Sequence, residues 1–257
     1  MTPAPTPELS IVVPALDEQD NVRPLVEEVG RVMAEAGIAA ELIVVDDGSH
    51  DATPEQLREL MTEHHFLRVL RRPEARGQSA AMHAGIAAAR GAWVSFLDAD
   101  LQNDPADLPA MLAEAKTRDV DLVQGDRSHA RQDHTIRKLG SWIGRSARRL
   151  ILGDRVRDTG CSARVLRATY ARRLPLQFKG MHRFIPATVA MLGGRVSECH
   201  ASHRPRHTGE TKYGLGLLSR GPAGLLDLLA VRWMRSRLRD TAAEELTAAP
   251  GDASGRP

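Results

Sequence analysis

Apolar residues in the first half of the chain come as short β-branched runs separated by longer stretches with helical spacing. Leu9-Ser10-Ile11-Val12-Val13 stops at Pro14, and Glu41-Leu42-Ile43-Val44-Val45 stops at Asp46-Asp47-Gly48-Ser49. Phe66 to Leu70, Trp93 to Leu97 and Val120 to Gln124 are further runs, and all five predict strands. Between them the spacing predicts a helix over 21–36, with Val22, Leu25, Val26, Val29 and Met33 on one face and Gly37 as its stop. Further helices are predicted over 54–64, with Pro54 in the first turn, over 77–89, and over 105–117 with Asp104 as N-cap. Short apolar strands alternating with helices of about 10–15 residues imply βαβ units and a parallel sheet covered on both faces.

After residue 127 the texture changes. Leu139 to Leu152 reads as a basic helix, with Arg137 and Lys138 before it and Arg145, Arg148 and Arg149 within it. Met181 to Leu192 reads as helix and Arg195 to His203 as strand. Leu217 to Arg239 carries Leu225, Leu226, Leu228, Leu229, Val231, Trp233 and Met234, fringed by Arg232, Arg235, Arg237 and Arg239. Such a segment either lies in a membrane interface or packs on the core with a solvated basic end, and the pattern leaves both open. Residues 1–8 and 241–257 are predicted to be disordered. Met1 to Glu8 lacks the basic and apolar regions of a signal peptide, and no apolar run reaches the roughly 18 residues of a bilayer span.

Composition narrows the class. With 42% hydrophobic and 26% charged residues over 257 positions, the chain holds a large α/β core and is not wholly disordered. Aromatics at 4% argue against stacking platforms for sugars or single strands. Cys161 and Cys199 stand far apart, as free thiols do. The net charge of +2 hides an asymmetry: residues 1–126 carry −13, 127–212 carry +14 and 213–257 carry +1. A basic second half suits an anionic partner, although part of it neutralises the acidic half. Its charges are broken up by apolar runs without a helix-turn-helix or zinc motif, which speaks against nucleic acid.

In parallel sheets ligands sit at the carboxyl ends of the strands. Asp17 and Glu18, Asp46 and Asp47, Asp98 and Asp100, and Asp126 and Arg127 each follow a predicted strand. Asp98-Ala99-Asp100-Leu101-Gln102 carries the sharpest chemistry. Alternate side chains converge there, and two carboxylates with an amide oxygen are hard ligands for Mg²⁺ or Mn²⁺ carrying substrate phosphates.

Together with Val12-Val13-Pro14-Ala15-Leu16-Asp17-Glu18, Val45-Asp46-Asp47-Gly48-Ser49, Gly77-Gln78 with Gly85, Gly125-Asp126-Arg127, and His203-Arg204-Pro205-Arg206 running to Gly209 and Lys212-Tyr213-Gly214, this segment resembles the family 2 inverting glycosyltransferases. The likeness is greatest to the polyprenyl-phosphate sugar transferases related to dolichyl-phosphate mannose synthase. It spans about residues 9 to 227 in the expected order. One departure is Asp17, where the family usually has Asn.

The resemblance implies an α/β glycosyltransferase-A fold: a Rossmann-like, mostly parallel central sheet with flanking helices, plus basic C-terminal amphipathic helices. It implies a catalytic domain over 9–215, with a nucleotide-sugar half (9–126) and an acceptor half (127–215), then an interfacial helix over 216–240. Pro14, Leu16, Glu18, Val45, Asp47, Gln78, Asp98, Ala99 and Asp100 would bind the donor, a UDP- or GDP-hexose. Asp98, Asp100 and Gln102 would hold Mg²⁺ or Mn²⁺, and Asp98, Asp100 and Arg127 would be catalytic. Arg127, Arg137, Ser141, Arg204, Arg206 and Lys212 would hold the phosphate of a dolichyl or undecaprenyl acceptor. The implied setting is the cytoplasmic face of a membrane, with the enzyme attached peripherally.

The acceptor can also be argued from what is missing. Transfer to a sugar hydroxyl needs a general base. From Thr159 to Ser197 there is no Asp or Glu, and Phe178-Lys179-Gly180-Met181-His182-Arg183 stands where relatives acting on sugar hydroxyls usually show an acidic pair. A phosphomonoester, with a second pKa of about 6, is already anionic and needs cations instead. The alternatives are transfer to a hydroxyl of a glycan or glycolipid, with His182 as base, and a non-catalytic nucleotide-sugar-binding protein.

Overall fold

The computed structural model describes residues 6–128, 144, 146–154, 156–205 and 217–239. Arg137, Ser141, Arg145, Arg206 and Lys212 lie outside the described residues, as does the predicted tail 241–257. Among the described residues there are seven strands: β1 (Leu9–Ala15), β2 (Ala40–Asp46), β3 (Leu67–Arg71), β4 (Trp93–Phe96), β5 (Leu122–Asp126), β6 (Arg164–Arg167) and β7 (Val196–His200). They form one sheet in the order β3-β2-β1-β4-β6-β5-β7. All neighbours are parallel except those of β6, which runs antiparallel to both β4 and β5.

Alternation along the strands feeds two cores. Ile11, Val13, Leu42 and Val44 face one layer with α1 (Val22–Glu35), α2 (Thr53–Glu63) and α4 (Asp107–Thr117). Val12, Ile43, Val45, Val94 and Phe96 face the other. That second layer holds α3 (Gln78–Ala88), a helix over 146–152 (α5), α6 (Ala168–Ala171), α7 (Ile185–Met191) and α8 (Leu217–Arg237). Burial on both faces is why β1 and β2 read as continuous apolar runs. Gly85 sets the approach of α3 to the sheet, because a Cβ there would overlap Val12 Cγ1.

Several boundaries differ from the sequence reading. Asp104 is not the N-cap of α4: Ala106 is, and the Asp104 carboxylate instead accepts the Ala106 N–H at 2.9 Å. The 181–192 stretch begins as a 3-10 helix (Met181–Phe184) before α7, whose first turn takes Pro186. Glu8 is not part of a loose end, since its N–H donates to the Ala39 carbonyl at 2.7 Å and its carbonyl accepts the Trp93 N–H at 3.0 Å. The strand β6 is absent from the sequence reading. It is four residues long and both ends are arginines. It belongs in the sheet because Val165 and Leu166 are buried on opposite faces and the Arg167 guanidinium lies 4.7 Å from the centre of the Trp93 ring.

Candidate active site at the strand ends

The parallel direction of β1, β2, β4 and β5 brings Leu16 to Glu18, Asp46 and Asp47, Asp98 to Gln102, and Asp126 with Arg127 to one sheet edge. Beyond β1 the backbone enters the left-handed region at Asp17, φ 50°. Short polar side chains, Asp and Asn alike, tolerate that conformation. The Asp17 carboxylate accepts the His50 N–H at 2.8 Å, and the Asp17 N–H donates to Ser49 Oγ at 2.9 Å. Its charge is thereby turned towards the loop after β2. Glu18 donates its N–H to Thr53 Oγ1 at 2.8 Å and receives the Asn21 amide at 2.7 Å.

Asp47, expected among the donor-binding residues, follows β2 and is 3% exposed. Its carboxylate accepts the Gly77 N–H at 2.6 Å and the Arg76 N–H at 3.0 Å, with Arg72 Nε at 3.4 Å. It thus anchors the turn that starts α3, where Gly77 takes φ 89°. Val45 and Ala99, expected among the donor-binding residues, have buried side chains. They are 0% and 3% exposed and packed in the two cores, leaving only their backbone for a ligand. Pro14, Leu16 and Glu18 stay half-buried at the edge.

Gln78, the first residue of α3, reaches across to Asp98 with Nε2–Oδ1 2.9 Å. The second oxygen of Asp98 accepts Ser162 Oγ at 2.6 Å and Asn103 Nδ2 at 3.4 Å. Burial raises the Asp98 pKa; the Ser162 hydrogen bond opposes this and the Asp100 charge adds to it. Asp100 is 8% exposed and accepts the Gln102 N–H at 3.2 Å across Leu101, which takes φ 59°. A left-handed leucine is a costly conformation, of the kind kept at ligand sites.

The donor set suits a divalent cation. Two neighbouring carboxylates with crowded negative charge offer hard oxygens that a cation would neutralise. Among the described residues no group of three or more His, Cys, Asp or Glu is poised around one point.

Opposite Asp98 lies a layer of buried arginine. Arg127, 7% exposed, donates from Nε to Asp158 Oδ2 at 2.9 Å, and its N–H reaches the same carboxylate at 3.3 Å. Burial works against the Arg127 charge, but Asp158 more than compensates, and its pKa is raised. Arg164 on β6 is nearly sealed. Its guanidinium donates to the carbonyls of Cys161 and His182, Nε has no hydrogen-bond partner, and burial lowers its pKa to about 10. Both arginines act electrostatically on Asp98.

Arg204 is not a free cation for a phosphate. It pairs with Glu28 of α1 at 2.8 Å and with Asp104 at 2.5 Å, while its N–H donates to the Gln102 carbonyl at 2.9 Å. It ties the segment after β7 to the loop that carries Asp100. His182 shares a 2.7 Å contact between Nδ1 and Ser79 Oγ, and burial with the nearby Arg164 and Arg183 lowers its pKa to about 4. A cavity of about 390 Å³ opens between α7, β7 and α8 and is lined by none of the predicted site residues.

Asp158, Ser162, Arg164 and Gln124 were missed by the sequence reading. The signal available was Asp158 itself, one of five acids in the basic stretch 127–212, followed by the polar run Thr159-Gly160-Cys161-Ser162.

A model of glycosyl transferase family 2 matches residues 10–176. The dodecaprenyl-phosphate galacturonate synthase of Rhizobium johnstonii is 40% identical over 241 residues, 92% of this chain and 70% of that protein. An undecaprenyl-phosphate 4-deoxy-4-formamido-L-arabinose transferase of Pseudomonas fluorescens is 32% identical over 83% of this chain and 62% of that protein. Against further relatives of the latter kind the chain again spans less than two thirds of their length. Among solved structures, glucosyl-3-phosphoglycerate synthase from Mycobacterium tuberculosis with UDP superposes at TM-score 0.66 and 22% identity, over 91% of this chain and 82% of that one. The same enzyme with Mn²⁺, UDP and glucosyl-3-phosphoglycerate gives 0.61 at 22% identity and the same coverage. These structures share the fold, and the motif order, the strand-end acids and the family match carry the same conclusion: the chain belongs to glycosyl transferase family 2.

Proposed function

We propose that this glycosyltransferase moves a sugar from a nucleoside diphosphate donor onto a polyprenyl phosphate at a membrane surface. The acceptor phosphate oxygen attacks the anomeric carbon, the bond from that carbon to the diphosphate breaks with inversion, and the nucleoside diphosphate leaves. Mg²⁺ or Mn²⁺ bound at Asp98 and Asp100 would supply Lewis-acid neutralisation of the leaving diphosphate. Gln78 and Ser162 hold the Asp98 carboxylate in one orientation, and Asp158 holds the Arg127 guanidinium in another. The Gly77–Gln78 turn beside them gives a backbone close enough to approach a nucleotide.

The carrying observation is that buried Asp98 lies within electrostatic reach of two guanidinium groups, Arg127 held by Asp158 and Arg164 held by the Cys161 and His182 carbonyls. His182 is the candidate base in the acid-free stretch, and with a pKa of about 4 it is a weak one near neutral pH. An already ionised phosphate needs none. The names of both relatives agree with a polyprenyl phosphate acceptor.

Among the described residues no helix is long and apolar enough to cross a membrane. On α8, Leu228 and Val231 are buried while Leu225, Leu226, Leu229 and Trp233 are exposed, so the helix packs with one apolar face and presents another. Exposed apolar residues beside Arg232, Arg237 and Arg239 suit an anionic lipid surface.

The test is to incubate the protein with Mn²⁺, short-chain polyprenyl phosphate and labelled UDP- and GDP-sugars, including UDP-galacturonate, UDP-glucose and GDP-mannose. A labelled glycolipid is expected from at least one donor and is lost with EDTA or in Asp100→Asn. No glycolipid from any donor, or full activity of Asp100→Asn, would sink the proposal.

A further inference from the structure

The turn from Asp158 to Ser162 touches both sides of the site. At its start, Asp158 takes the Arg127 guanidinium through Nε at 2.9 Å and NH2 at 3.4 Å, and accepts the Gly160 N–H at 3.1 Å. Four residues later, Ser162 Oγ donates to Asp98 Oδ2 at 2.6 Å. Buried Gln124 holds the turn from beneath, its amide donating to the Asp158 carbonyl at 3.1 Å and the Cys161 carbonyl at 2.9 Å. Arg164 donates to that Cys161 carbonyl from the other side.

We infer that Ser162 is a positioning residue for the divalent cation, acting through Asp98, and that the turn 158–162 sets that carboxylate and Arg127 as one rigid unit. The inference rests on the metal reading above. Its physical basis is the count of donors on Asp98. Gln78 holds one oxygen and Ser162 the other, with Asn103 longer at 3.4 Å. Ser162 is 8% exposed, so water does not freely replace its hydroxyl. Without it, the carboxylate pivots about its Gln78 contact, and a cation at the adjacent Asp100 meets a misoriented partner. Groups that orient metal ligands in this way are worth about 10–100-fold in metal affinity.

The experiment titrates Mn²⁺ into the 257-residue chain, with and without UDP, and reads free Mn²⁺ by electron paramagnetic resonance, alongside thermal unfolding. Ser162→Ala is expected to weaken Mn²⁺ binding at least about 10-fold. Ser162→Thr, which restores a hydroxyl, is expected to regain most of it, and both variants to keep a cooperative melt. If wild type binds Mn²⁺ and Ser162→Ala binds it equally well, the inference is overturned while the metal reading stands. If wild type itself binds no Mn²⁺, the metal reading falls and takes the inference with it. Should Ser162→Ala lose its cooperative melt, Ser162→Thr decides: affinity like wild type supports the role, and a loss as large as that of an Asp98→Asn control overturns it.

Discussion

The Arg127 Nε and the Asp158 carboxylate meet at 2.9 Å, thirty-one residues apart, with each side chain over nine-tenths buried. The pair joins the end of β5 to the loop before β6 and fixes a cation near the acids of β4. Removing one partner of a buried pair leaves an uncompensated charge, at a cost of about 3–5 kcal/mol. Asp158→Ala should therefore unfold at markedly lower urea concentration and lose transfer activity. Replacing both residues, as Arg127→Met with Asp158→Leu, should recover much of the stability and none of the activity. Recovered activity in the double variant would show that the guanidinium has no part in transfer.

His182 predicts a pH dependence of stability. Its pKa falls from the ordinary value near 6.5 to about 4, first because it is buried and then because Arg164 and Arg183 lie close. The unfolded state therefore binds the proton more readily than the folded one. Stability from the neutral ring is complete above about pH 6.5 and drains away as pH falls towards 4. The wild-type melting temperature should drop over that window, and the drop should be smaller in His182→Gln. An equal slope in both would assign the effect elsewhere.

Gly85 predicts a packing defect outside the site chemistry. A methyl group there overlaps Val12 on β1, a buried neighbour with no room to yield. Gly85→Ala should cost about 1–3 kcal/mol, read as a lower urea midpoint with an unchanged slope.

The two faces of α8 predict opposite phenotypes. Leu226→Glu and Trp233→Glu should leave the melt unchanged and weaken flotation with anionic vesicles. Leu228→Glu, placing a charge in the core, should lower the melt instead. Equal vesicle binding by Trp233→Glu, Leu226→Glu and wild type would remove the membrane role of this face.

The strands and helices of the first half were legible because local patterns match their burial. Ile11 and Val13 alternate with Val12, and Val22, Leu25, Val26 and Val29 recur at helical spacing, so each residue's neighbours in sequence announce its neighbours in space. The strand-end acids were legible for the same reason: a parallel sheet sends every strand's carboxyl end to one edge. Asp98 and Asp100 needed only that rule and their spacing.

What the sequence could not carry was the long-range pairing. Arg164, Asp158 and Ser162 sit in a basic stretch where nothing local marks them. They become site residues because β6 inserts antiparallel between β4 and β5 and lays the 158–162 turn over Asp98. The same limit hid the pairing of Arg204 with Glu28 and Asp104, and of Asp47 with the turn that starts α3. Sequence by itself determined the parallel strands of the first half, the edge they end on and the acids there, but not β6. Only the tertiary structure decided which polar groups are spent on one another, because a hydrogen bond across sixty or more residues depends on backbone paths that no local pattern encodes.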